Sequence, residues 1–135
     1  MSLYALVSLT SIVDERGHVA VGDVGGSIPF DVRRVFTVSG VPAATVRGGH
    51  AHRDCHQLLV VVSGSVRVDI RDSAGPHTVV LSDPAVGVHI PPGVFAAQSQ
   101  FTHGAVLLVL ASHPYDPDDY IDGSDVGETH FTDVP

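Results

Sequence analysis

A single cysteine, Cys55, leaves this 135-residue chain without an internal disulfide, and the thiol count says nothing about a redox compartment. Lying beside His56, Cys55 reads as a small residue at a strand entrance rather than a nucleophile. Long apolar runs are missing: no stretch approaches a membrane span, and no charged segment followed by an apolar one opens the chain. Positive charge is scarce too. Seven cationic residues, all arginine, stand against fifteen acids, giving a net charge of −8 and a pI near 5.4. That balance argues against nucleic acid or an anionic membrane as the main partner. A soluble, cytoplasmic protein is the expectation.

Helical periodicity is equally sparse, whereas short strand-like runs recur. Leu3, Ala5, Val7 and Leu9 alternate with other residues, and Val66, Val68 and Ile70 alternate with Arg67, Asp69 and Arg71. Further runs cover 32–38, 57–62, 77–81, 86–90 and 105–111. Turn formers separate them, among them Ser63-Gly64, Asp72 to Pro76 and Pro91-Pro92-Gly93. Many short strands with Gly- and Pro-rich turns predict an all-β sandwich or closed barrel. With 44% hydrophobic residues the chain has material for one core, so residues 1–135 read as one domain. Asp116 to Tyr120 is suited to opening one helical turn, and residues 123–135 read as a loose acidic tail.

The chemistry concentrates in Arg47-Gly48-Gly49-His50-Ala51-His52. Two histidines at i and i+2 of a strand project from the same sheet face. Imidazole is both the commonest metal ligand and the side chain best suited to moving protons near neutral pH, so the pair alone leaves both roles open. Arginines cluster around it: Arg33, Arg34, Arg47, Arg53 and Arg67 lie in or near this region, which suits a small anionic ligand such as a diphosphate. Arg67 and Arg71 read as solvated residues of an exposed strand face. His18, His77, His113 and His130 read as surface residues, His89 stands among apolar neighbours, and Tyr115 and Tyr120 read as packing the tail or closing an interface.

His50-x-His52-x4-Gln57-x6-Gly64 resembles the first cupin motif, with Gln57 where metal-binding cupins carry Glu. Pro91 to Ala96 resembles the second motif, with Ala96 at the usual ligand-histidine position. An amide is a poor ligand for a divalent cation and a methyl group is none, while His56, His89 and His103 lack the spacing to substitute. No metal and no other cofactor is expected. Pro29 to Phe36, Arg47 to His52, Gln57 to Val60, Leu81 to Val88 and Tyr115 to Ile121 resemble the sugar-nucleotide 3,4-ketoisomerases more specifically, over residues 14 to 121. The resemblance implies a single-domain jelly-roll (cupin) barrel and a homodimer. It also implies an isomerase converting a dTDP-linked 4-keto-6-deoxyhexose to its 3-keto isomer through an enediol, in deoxysugar biosynthesis.

By that resemblance His50 and His52 are the catalytic acid and base. Arg47 would stabilise the enediolate or fix the diphosphate, Gln57 would orient an imidazole or a sugar hydroxyl, and Arg34, rather than Arg33, would meet the phosphates. The chain departs from the family at three places. The family's Tyr-Tyr pair becomes Phe36-Thr37, leaving the shorter Thr37 hydroxyl as a substrate contact. Its Trp-His pair becomes Phe95-Ala96, and its Tyr-Ile-Arg becomes Tyr120-Ile121-Asp122. Altered specificity is the expected consequence. The rival readings are a non-catalytic cupin that binds a sugar nucleotide and a metal-dependent cupin enzyme.

Overall fold

A computed structural model describes residues 3–122; the segment read as an acidic tail, with His130, lies outside the described residues. Twelve strands follow one another: β1 (Ala5–Ser8), β2 (Thr10–Asp14), β3 (Gly17–Val21), β4 (Arg34–Ser39), β5 (Arg47–His52), β6 (Gln57–Ser63), β7 (Val66–Asp72), β8 (Gly75–Leu81), β9 (Val86–Ile90), β10 (Phe95–Ser99), β11 (Val106–Ala111) and β12 (Tyr120–Asp122). Ten of them form two five-stranded sheets, ordered β1-β9-β6-β11-β4 and β12-β5-β10-β7-β8. Every ladder between these strands is antiparallel. This is the jelly-roll barrel that the family resemblance implies.

The β6 run Leu58-Leu59-Val60-Val61 is apolar on both faces because its sheet is covered on both sides. Leu59 and Val61 join Val66, Val68, Ile70, Val88, Leu107 and Val109 in the barrel core. Leu58 and Val60 face the other way, under Ile28, Phe30 and Val32, which cross the outer face. His89 lies on that outer side as well. Its Nε2 stands 3.0 Å from His56 Nδ1, and the Phe30 ring packs near both imidazoles. The two rings are nearly coplanar (10°) and their centroids are 5.2 Å apart, the arrangement of an edge-to-edge hydrogen bond rather than a face-to-face stack.

Three elements go beyond the strands read from sequence. β10, Phe-Ala-Ala-Gln-Ser, has weak strand propensity, yet it is sandwiched between β5 and β7 and mostly buried. β2 and β3 form a separate two-stranded hairpin around Glu15-Arg16, exposed along its whole length. β12 is a three-residue edge strand on β5. The helical turn falls where expected, as a 3₁₀ turn at Pro117–Asp119; the Asp116 carboxylate caps it by accepting from the Asp118 N–H at 3.0 Å. His77 is not a free surface residue: its Nε2 lies 2.8 Å from the buried Asp72 carboxylate, which also accepts from the Tyr4 N–H.

Candidate active site

β5 reaches the lumen through a bulge. Opposite β10, Ala96 pairs with His50 and Ala97 with Gly48, so the ladder slips by one residue at Gly49. Gly48 has φ +74°, and a Cβ there would stand 2.8 Å from Gln98 Oε1 and 3.1 Å from the Ala96 carbonyl oxygen. Only glycine fits that conformation and that close approach. Beyond the bulge His50 and His52 share the inward face, with ring centroids 5.3 Å apart and planes at 77°. Both line one small cavity together with Phe36, Val38, Gln57, Leu59, Ile90, Ala96, Gln98 and Val109. At about 20 Å³ it has room for roughly one water.

His52 is 4% exposed and is oriented by a residue far along the chain. Its Nδ1 lies 3.0 Å from Asp119 Oδ2. Asp119 is fixed in turn: Oδ1 accepts from the Asp54 N–H at 2.7 Å and Oδ2 from the Cys55 N–H at 3.3 Å. With the carboxylate accepting everything it receives, Nδ1 carries the proton, and Nε2 presents a lone pair. Nε2 is buried and has no hydrogen-bond partner among the described residues. Burial pushes the His52 pKa down, the Asp119 hydrogen bond and charge oppose that, and Arg34 and His113 reinforce it. Burial, then the neighbouring His52, push His50 down to about 4. Both imidazoles are therefore neutral at pH 7.

Two aromatic residues and one cation complete the site. Tyr120 pairs in register with His52, and its ring stands 4.4 Å from His50 and 4.7 Å from His52. Arg34 lies half-buried against Phe36 and Tyr115, its guanidinium carbon 5.3 Å and 5.9 Å from the two ring centroids. Its Nε and Nη1 are buried and, among the described residues, unpartnered. Such a cation beside neutral imidazoles is suited to an oxyanion.

The residues read from sequence are placed unevenly. His50, His52 and Gln57 come together around the cavity, and Arg34 stands beside them. Arg33, just before β4, is exposed. Arg47 is half-buried opposite Gln98, with its Nε unpartnered among the described residues, but it does not line the cavity. Thr37 requires correction: on β4 the residues alternate, Arg34, Phe36 and Val38 facing in, so Thr37 is exposed on the outer face and is no substrate contact from this barrel. Ring-bearing Phe36 is the residue of that pair at the cavity. Asp119 and Tyr120 were not read as site residues. The signal was present in Tyr-Asp-x-x-Asp-Tyr-Ile, but nothing local to that string says which strand it pairs with.

Among the described residues one donor set besides the cupin positions has metal-like proximity: His52, Cys55 and Asp119 hold ligand atoms within 4.8 Å of one another. Asp119 is committed to three donors, His52 Nδ1 among them, and the Cys55 thiol to the His56 carbonyl oxygen at 3.3 Å. At the cupin positions themselves, Gln57 and Ala96 give no anionic or imidazole donor, so this set does not fit a divalent cation.

An antiparallel double-sheet barrel that turns two imidazoles into its lumen defines a cupin. The profile of the family described as FdtA: WxcM-like, C-terminal matches residues 2–128, and the chain belongs to that family. It is 34% identical over 116 residues to the TDP-4-oxo-6-deoxy-alpha-D-glucose-3,4-oxoisomerase of Aneurinibacillus thermoaerophilus, covering 86% of this chain and 84% of that protein. Among solved structures it resembles a mutant of the 3,4-ketoisomerase QdtA from Thermoanaerobacterium thermosaccharolyticum in complex with TDP-4-keto-6-deoxyglucose. The TM-score is 0.86 at 37% identity, over 91% of this chain and 89% of that one. The WlaRB TDP-quinovose 3,4-ketoisomerase from Campylobacter jejuni gives 0.86 at 30% identity, over 93% and 97%.

Proposed function

We propose that this protein is a sugar-nucleotide 3,4-ketoisomerase. It converts a dTDP-linked 4-keto-6-deoxyhexose to the 3-keto isomer, in the cytoplasm, as a step of deoxysugar biosynthesis. The observation that carries the reading is the pair of neutral, same-facing imidazoles, one of them oriented by the Asp119 carboxylate, in a chain related to such isomerases. A ketone at C4 acidifies the C3 hydrogen. His52, with its Nε2 lone pair directed at the lumen, and His50 carry that carbon-bound proton from C3 to C4 through the enediol. Arg34 stabilises the enediolate oxygen from beside the imidazoles, Arg47 fixes the diphosphate, and Gln57 hydrogen-bonds a sugar hydroxyl. The cavity between the imidazoles is small and His50 is half-buried at its edge, so in this reading the hexose lies across the cavity mouth.

The active species is a homodimer in this reading. Ile12, Val13 and Val19 on the β2–β3 hairpin are 52%, 71% and 54% exposed, apolar surface that a second copy would cover. Incubation with dTDP-4-keto-6-deoxyglucose in deuterated water, followed by NMR, tests the activity. The expected result is a 3-keto product with deuterium at C3 or C4, severely reduced in folded His50→Asn and His52→Asn. Saturable binding without exchange would favour the non-catalytic cupin instead, and near-wild-type turnover in both variants would remove the assigned roles.

A further inference from the structure

A hydrogen bond between two imidazoles also holds two metal donors at a fixed separation. We propose that His56 and His89, on the outer side of the barrel, bind a divalent late transition metal that takes ligands at right angles, Ni²⁺ or Cu²⁺. The site is separate from the cupin pair and independent of the isomerase reading.

The donor atoms are His56 Nδ1 and His89 Nε2, 3.0 Å apart. Two imidazole nitrogens at that separation, each about 2.0–2.1 Å from one ion, subtend an angle of roughly 90–97° there. That is the angle between neighbouring ligands in octahedral or square-planar coordination, and it falls short of the tetrahedral angle that zinc takes. Neither backbone has to move to reach it. His89 is clamped within its sheet, paired with Ala5 on one side and Leu58 on the other. The His56 N–H donates to Ser112 Oγ at 2.7 Å, and its carbonyl oxygen accepts from the Ser112 N–H at 3.0 Å.

Only the rings turn. They meet nearly head-on, one N–H aimed at the lone pair of the other ring, and each tilts until both lone pairs converge on the ion. Whichever ring donates moves that proton to its own far nitrogen, so two neutral ligands result and no proton is released. Burial holds both histidines below their ordinary pKa, helped by His113 at His56 and by His56 at His89, and protons do not compete for the lone pairs at pH 7. Both residues are half-buried beside the Phe30 ring, so the ion enters from solvent and keeps waters at its remaining positions. His56 directly precedes Gln57 and His89 directly precedes Ile90, two residues that line the cavity. The ion therefore ties β6 to β9 from outside the wall whose inner surface faces the substrate.

Isothermal titration of the full chain, free of any affinity tag, with Ni²⁺ tests the proposal beside His56→Gln, His89→Gln and His50→Asn. The expected result is one saturable site in the parent protein, weakened by about tenfold or more in either glutamine variant. Affinity in His50→Asn should match the parent. Ni²⁺ should also raise the melting temperature of the parent and of His50→Asn, and of neither glutamine variant. Each glutamine variant breaks the chelate by itself, so if one fails to fold the other decides. Absence of binding would overturn the proposal, as would weak binding that neither glutamine substitution diminishes, which marks an adventitious ion only. Binding lost in His50→Asn but kept in the glutamine variants would also overturn it, and would place the ion in the lumen as the metal-dependent cupin reading requires. The first two failures leave the isomerase reading untouched.

Discussion

Replacing Asp119 by asparagine tests the electrostatic core of the site at the cost of one atom. Asp119 Oδ1 accepts a short 2.7 Å bond from the Asp54 N–H and must remain an oxygen. The new amide NH₂ therefore turns toward His52 Nδ1, 3.0 Å away. A donor there forces Nδ1 to become an acceptor and moves the ring proton to Nε2, the nitrogen that should present a lone pair to the lumen. The base is thereby converted into a donor of the wrong polarity. Loss of a positioned general base costs on the order of 10²–10⁴ in rate, or about 3–5.5 kcal/mol of barrier. The charge-assisted bonds to Asp119 weaken as well, for a stability loss of roughly 1–3 kcal/mol and a melting temperature lower by a few degrees. Turnover of dTDP-4-keto-6-deoxyglucose, followed by NMR beside a thermal melt, reads both effects. A folded Asp119→Asn protein retaining more than a tenth of wild-type kcat would refute the tautomer argument.

Three further outcomes follow from the same geometry. Because the native imidazoles resist protonation, His50 down to about 4, the unfolded chain takes up protons first as pH falls below 6.5. Stability from His50 is thus full above pH 6.5 and is lost toward pH 4, by roughly 3 kcal/mol; a melting temperature that stays flat from pH 6.5 to 4.5, or a slope unaltered in His50→Asn, would contradict this. Thr37→Ala should leave kcat and KM within about twofold, since the side chain is on the outer face; a tenfold loss would place Thr37 in the machinery after all. For the proposed homodimer, Val13→Arg on the exposed hairpin should give a monomer in sedimentation or light scattering where the unaltered chain gives a dimer; a dimeric variant would place the interface elsewhere, and a monomeric unaltered chain would remove the dimer reading.

The barrel was legible because its strongest strands carry local signals: alternation in Val66 to Asp72, an apolar run in β6, and proline- and glycine-rich turns between them. β10 was hidden because two alanines and a glutamine have no strand preference of their own, and burial between two neighbours decides the matter. The hairpin's residues form no alternation because neither face is covered in the single chain. Within the site, a period of two placed His50 and His52 together and separated Arg34 from Arg33. The same period, applied one step further, separates Phe36 from Thr37, and there the hydroxyl had drawn attention to the outward residue. Asp119 and Tyr120 belong to a different kind of information. Their roles arise from pairing across 67 positions, which no local pattern contains.

That long reach makes competence the last property the molecule acquires. The lumen is built by strands ending with β11, all of which leave the ribosome before the 3₁₀ turn and the three-residue β12 at the sheet margin. A nascent or clipped chain would own a closed barrel with both histidines in place and still be inert, because the carboxylate that sets the tautomer would not have docked. Fraying of that short margin strand would likewise silence the enzyme without unfolding it.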